Sequence, residues 1–170
     1  MNKYFERIER LRSLMRAKDW DAVVIYGTDP HFSEYPALRW KQIEWLTGFT
    51  GEAADVVVTL DDAGLWTDSR YFIQAENELA GSGVKLYKMG NPDVPSVEEY
   101  LEAALPAKGV LGFDGRVIAM SKGKEYAEKF ESTANHAGLS AYTLSREKVD
   151  EYCEIMAEMN LFNISVIDAN

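Results

Sequence analysis

The chain has 170 residues, 46% of them hydrophobic, and a formal charge of −10 from 18 Lys plus Arg against 28 Asp plus Glu. That length supports one substantial core, and the acidic balance argues against nucleic acid and anionic membrane as partners. A single cysteine, Cys153, excludes an internal disulfide. No run approaches the roughly 18 apolar residues of a membrane span, and the charged N-terminal segment lacks a signal-peptide core, so the cytoplasm is the expected location.

Phe5, Ile8, Leu11, Leu14 and Met15 recur at helical spacing between charged residues, which predicts an amphipathic helix ending near Asp19. "AVVIY", from Ala22 to Tyr26, reads as a buried strand, and "GTDPHFSEYPAL" as a long polar loop broken by Gly27, Pro30 and Pro36. "ADVVVTL", the turn "DDAG" and "LWT" form a predicted hairpin. Asp68 then caps a helix with Phe72, Ala75 and Leu79 on one face, stopped by Gly81 and Gly83. A strand "VKLYKM" follows, then a helix over "PSVEEYLEAAL" whose Ser96 and Glu99 have capping-box spacing. "GVLGFDG" supplies a strand, "SKGKEYAEKFESTANHA" a helix opened by Ser121, "SAYTL" a last strand, and an acidic helical segment starts near Arg146. This alternation predicts an α/β fold: a mixed sheet, mostly parallel with one antiparallel hairpin, and helices on both faces.

Chemistry has few candidates. His31 and His136 are the imidazoles available. His31 and Glu34 have the spacing of helical zinc ligands, but Pro30 and Pro36 bracket them and favour a loop held by local hydrogen bonds. His136 suits a helix C-terminus before Gly138. Asp61, Asp62, Asp68 and Asp114 would make a carboxylate set for a hard metal such as Mg²⁺, although a hairpin turn accounts for Asp61 and Asp62 and a helix cap for Asp68. Gly48 and Gly51 lack the lysine of a phosphate loop, and Cys153 has no base near it in sequence. Arg70 stands apart. A cation at a helix start is disfavoured by the dipole, so an acceptor must recruit it: a ligand, or Asp68 or Glu34 of the chain itself.

The segments "DPHFSEYPALRWKQIEWLTGFTGEAADVVVT", "GLWTDSRYFIQAENEL" and "YKMGNPDVPSVEEYL" resemble the N-terminal domain of Xaa-Pro aminopeptidases (aminopeptidase P), in the creatinase and prolidase family. Asp29, His31, Ser33, Glu34 and Tyr35 carry the likeness first. Gly48, Phe49 and Gly51 follow, then Trp66, Thr67, Asp68, Arg70, Tyr71 and Phe72. The resemblance covers residues 1–150 and implies a layout similar to ribonuclease H. The tail 151–170 diverges, with Cys153 where relatives have tryptophan.

In that family the reaction belongs to a C-terminal domain of pita-bread fold with two metal ions, usually manganese, which cleaves peptides that carry proline at the second position. The resemblance therefore implies no catalytic and no metal-binding residue in this chain. It implies a domain that shapes substrate access and helps subunits associate, as in a homo-oligomer such as a dimer. Arg70 matches the arginine that contacts peptide in relatives, and His31 and Tyr35 are second candidates to line the same mouth. Two rival readings are a free-standing module that binds peptide ends and a metal-dependent hydrolase built on the four aspartates.

Overall fold

A computed structural model describes residues 2–107, 109–119, 121–126 and 140–141. His136, Cys153, the helical segment from Arg146 and the divergent tail lie outside the described residues. Helix α1 spans Lys3–Ala17; Asn2 accepts the Tyr4 amide at 2.9 Å and so starts it, and Ile8, Leu11 and Met15 are its buried stripe. Strand β1 (Ala22–Tyr26) leads through the motif loop to a 3-10 turn at Leu38–Trp40 and the short helix α2 (Gln42–Thr47). The hairpin pairs β2 (Ala54–Thr59) with β3 (Ala63–Thr67). Its turn is tighter than "DDAG" suggests, because Ala63 and Gly64 already belong to β3 and the Thr59 amide donates to the Asp62 carbonyl at 2.8 Å.

Helix α3 (Phe72–Glu78) starts later than expected and Asp68 does not cap it. The Asp68 carboxylate is taken by the backbone amide and guanidinium of Arg70, which close a turn before the helix begins. Strand β4 (Lys85–Lys88), helix α4 (Val97–Ala104) and strand β5 (Val110–Phe113) follow. Both halves of the capping box form on α4, with Ser96 accepting the Glu99 amide and Glu99 accepting the Ser96 amide. Residues 121–126 are helical, and Ser140 and Ala141 form β6.

The sheet order is β4-β3-β2-β1-β5-β6. β2 runs antiparallel to both neighbours, and the pairings β3–β4, β1–β5 and β5–β6 are parallel. This is the mixed α/β sheet expected from the sequence. Alternate residues of each strand feed two cores. Val23, Ile25, Val56, Val58 and Leu65 pack with α1, α2 and α3, whereas Ala22, Val24, Val57, Trp66 and Phe113 pack with α4 and Tyr126. Each buried aliphatic side chain of this kind stabilises the fold by about 1.5–3 kcal/mol. Because β2 alone among β1–β5 is reversed, one rim of the sheet collects the C-terminal ends of β1, β3, β4 and β5 and the N-terminal end of β2.

Candidate functional site

That rim carries the motif loops. In the first, Asp29 is almost buried, and its Oδ1 accepts the amides of His31 and Ser33, each at 2.9 Å. The Ser33 amide foremost, helped by His31, holds the Asp29 carboxyl below the usual carboxylate range. Asp29 thus organises the loop, while His31, Ser33, Glu34 and Tyr35 are exposed on it. His31 and Glu34 sit in a turn and bend, so the helical geometry their spacing would need as zinc ligands is not formed.

Behind this loop, Gly48 ends α2 in the left-handed region (φ 86°) and Phe49 is fully buried, edge-on to Tyr71 with ring centroids 5.9 Å apart. The Thr50 amide and hydroxyl donate to Glu78 at 2.8 and 2.7 Å. The amides of Phe49 and Thr50, which follow Gly48, are therefore spent on the protein itself, Phe49 donating to Thr47 Oγ1 at 3.1 Å.

At the end of β3, the Arg70 Nε and Nη2 groups donate to Asp68 Oδ1 and Oδ2 at 2.9 and 2.7 Å, and the Arg70 amide adds a third bond at 3.0 Å. Hydrogen bonding from Arg70 lowers the Asp68 pKa, and the same bonds raise that of Arg70. The partner is Asp68, not Glu34. The Arg70 side chain is 68% exposed. Two Nη1 hydrogens and one on Nη2 remain for an outside acceptor.

The same device recurs at the end of β5. Asp114 is buried and accepts the Arg116 amide at 2.9 Å, and the Arg116 Nε and Nη2 groups donate to it at 3.0 and 2.6 Å. The guanidinium also lies 5.4 Å from the Trp40 ring centroid. Sequence reasoning missed Arg116, although the repeated Asp-x-Arg at 68–70 and 114–116 was there to be read.

Clefts join along the rim. One is lined by Tyr35, Trp40, Phe49 and Glu52, and the next by Thr28, Glu52, Asp55, Asp68 and Met89. Tyr35 is 72% exposed at the mouth of the first, and His31 lines neither. The structure does not bring the four aspartates together. Asp61 and Asp62 lie before β3 and Asp68 after it, a five-residue strand apart, and Asp62 is bonded to Lys85 and Tyr100 at 2.8 and 3.3 Å. Among the described residues no group of three or more His, Cys, Asp or Glu could hold a metal ion. No helix among them is long and apolar enough to cross a membrane.

Comparison with known proteins places this rim in a family. The creatinase/prolidase N-terminal domain matches residues 7–144. The chain belongs to that family. Among curated relatives of this creatinase/prolidase domain, the Xaa-Pro aminopeptidase app-1 of Caenorhabditis elegans is 37% identical over 85% of the chain, and Xaa-Pro aminopeptidase 1 of Dictyostelium discoideum 38% over 67%. The chain spans only 23% and 18% of those proteins. The solved X-prolyl aminopeptidase of C. elegans, described as a cytosolic enzyme with a di-nuclear active site, superposes with a TM-score of 0.68. It is 36% identical, and the match covers 75% of this chain and 22% of that one. An Xaa-Pro aminopeptidase structure from Streptococcus pyogenes, 26% identical, gives a TM-score of 0.54 over 84% of this chain and 91% of that one.

Proposed function

We propose that this creatinase/prolidase domain is the N-terminal domain of an Xaa-Pro aminopeptidase-like metallopeptidase, where it shapes substrate access and contributes to association of subunits. The longer enzyme would remove the residue before proline at a dinuclear centre, with manganese as the metal, in the cytoplasm. The domain's own part is to bind and orient the peptide, with Arg70 as the principal contact and Tyr35 and His31 on the neighbouring loop.

One observation carries the reading. Arg70 is exposed and its ion pair with Asp68 is solvent-facing, a kind of pair that contributes little to stability. What the pair does accomplish is direction: the planar fork is held on one edge and its other edge is presented to an acceptor such as a peptide carbonyl or carboxylate. The test is to install residues 7–144 in place of the matching segment of the C. elegans enzyme and follow cleavage of an Xaa-Pro peptide. Arg70→Ala is expected to reduce kcat/KM by about tenfold or more, as loss of an oriented substrate contact does, with the melting temperature unchanged. Normal turnover by that variant would sink the assignment of Arg70.

A further inference from the structure

One rung near the rim sets Tyr26, Asp55, Trp66 and Tyr87 side by side, one from each of β1 to β4. Side chains alternate along a strand, and Val57, two residues from Asp55, packs on the α4 side with Trp66 and Tyr26. One carboxylate thus stands in a row of aromatic rings. It borders a cavity of about 420 Å³ whose walls include Tyr26, Trp66, Tyr126, Glu98 and Lys122.

Within this cavity the hydroxyls of Tyr26 and Tyr126 and the charges of Lys122 and Glu98 are paired. The Tyr26 and Tyr126 hydroxyls are hydrogen-bonded at 2.7 Å. Lys122 Nζ lies 2.5 Å from Glu98 and 3.3 Å from Glu125. Asp55 forms no ion pair among the described residues, and its hydrogen-bond support is the Gly27 amide, which also donates to the Ala54 carbonyl. Burial, reinforced by the Glu98 charge, pushes its carboxyl up to about 6, against the weaker pulls of the Gly27 amide and Lys122. Asp55 is half-buried and has no ion-pair partner among the described residues; a carboxylate so placed is costly, and an aromatic wall beside it is the chemistry that accepts an organic cation. Lys122 shows that such a group fits here, its ammonium lying 5.2 Å from the Tyr126 ring centroid.

We propose that the cavity between α4 and the rim of β1–β3 binds an alkylammonium group, with Asp55 as its counter-charge and Tyr26, Trp66 and Tyr126 as its aromatic wall. The group can come from a free amine or from a lysine side chain. The cavity shares Asp55 and Met89 with the cleft beside Asp68, but the proposal stands whether or not Arg70 contacts peptide.

Isothermal titration of the full chain with n-butylammonium at pH 8 tests it, with n-butanol as the uncharged probe and N-acetyl-lysine methylamide as the peptide-borne one. Saturable binding of n-butylammonium and none of n-butanol is expected. Tighter binding of the lysine derivative assigns the cation to a peptide, and tighter binding of n-butylammonium to a free amine. Asp55→Asn, which removes charge and keeps shape, should weaken n-butylammonium binding about tenfold, and acidification to pH 5 should weaken it in the unmodified chain but not in the variant. Absent binding, equal binding of n-butanol, or an affinity that Asp55→Asn leaves unchanged overturns the proposal.

Discussion

The two faces of one sheet are built differently. On the side of α1, α2 and α3, the strands contribute Val23, Ile25, Val56, Val58, Ala63 and Leu65, and the helices close over them with Ile8, Leu11, Met15, Ile43 and Leu46. On the side of α4, the sheet contributes Trp66, Tyr26 and Tyr87, met by Tyr100 and Tyr126, and polar groups enter among the rings. The Trp66 indole stacks on Tyr87 at 4.2 Å and donates to the Pro95 carbonyl at 2.8 Å. Beneath its helices the first face is closed and, along the strands, aliphatic, with stability as its output; the exception is the rim, where Ile43 and Phe49 line a cleft. The second is aromatic and open at the rim, and leaves room for a ligand.

Three substitutions probe that contrast. Leu65→Ala on the sealed face removes a fully buried side chain and should cost about 2–5 kcal/mol in denaturant unfolding, since the closed packing cannot collapse into the gap. A loss under 1 kcal/mol would mean that this core is looser than its burial indicates. Gly64→Ala probes the other face. A Cβ there would stand 2.6 Å from both the Trp66 and Tyr87 rings, so the stack must open, at about 1–3 kcal/mol and with a changed near-ultraviolet circular dichroism spectrum. An unchanged spectrum would show that the rings yield freely.

The smallest expected effect has the opposite sign. A carboxyl whose folded-state pKa is raised to about 6 favours folding at low pH and loses that contribution as pH rises through about 6. Asp55→Asn should therefore stabilise the chain by roughly 1–2 kcal/mol at pH 8 and by nothing at about pH 4, measured as the difference in unfolding free energy at the two values. Stabilisation that does not vary with pH would assign the gain to packing.

Much of this was legible in the sequence, for reasons specific to each element. β1 announces itself as "AVVIY", and the Ser96–Glu99 box marks the start of α4 to the residue, because caps are local chemistry. Helix α2 was not foreseen, since its six residues offer only Ile43 and Leu46 as a stripe, too short for a period to show. Asp68 was read as a cap because its competitor, the guanidinium two residues on, acts through the side chain. Of the site residues, Arg70 was singled out as a cation in the first turn of a helix, but α3 starts two residues after it. What sets Arg70 apart is its two-pronged pair with Asp68. Asp55 stayed invisible: in "ADVVVT" it is one acid at the end of an apolar strand. Tyr26, Trp66 and Tyr126 reach it only through non-local pairing.

The strand at the sheet's β4 edge also has a bearing on how copies of this chain behave at high concentration. An open edge invites another strand to dock, the first step toward fibrils. β4 offers only four residues and opens and closes on a lysine, with Lys85 tied to Asp62 and Lys88 to Glu76. A strand arriving from a neighbour would have to bury those ammonium groups or break their pairs. That border resists templated growth.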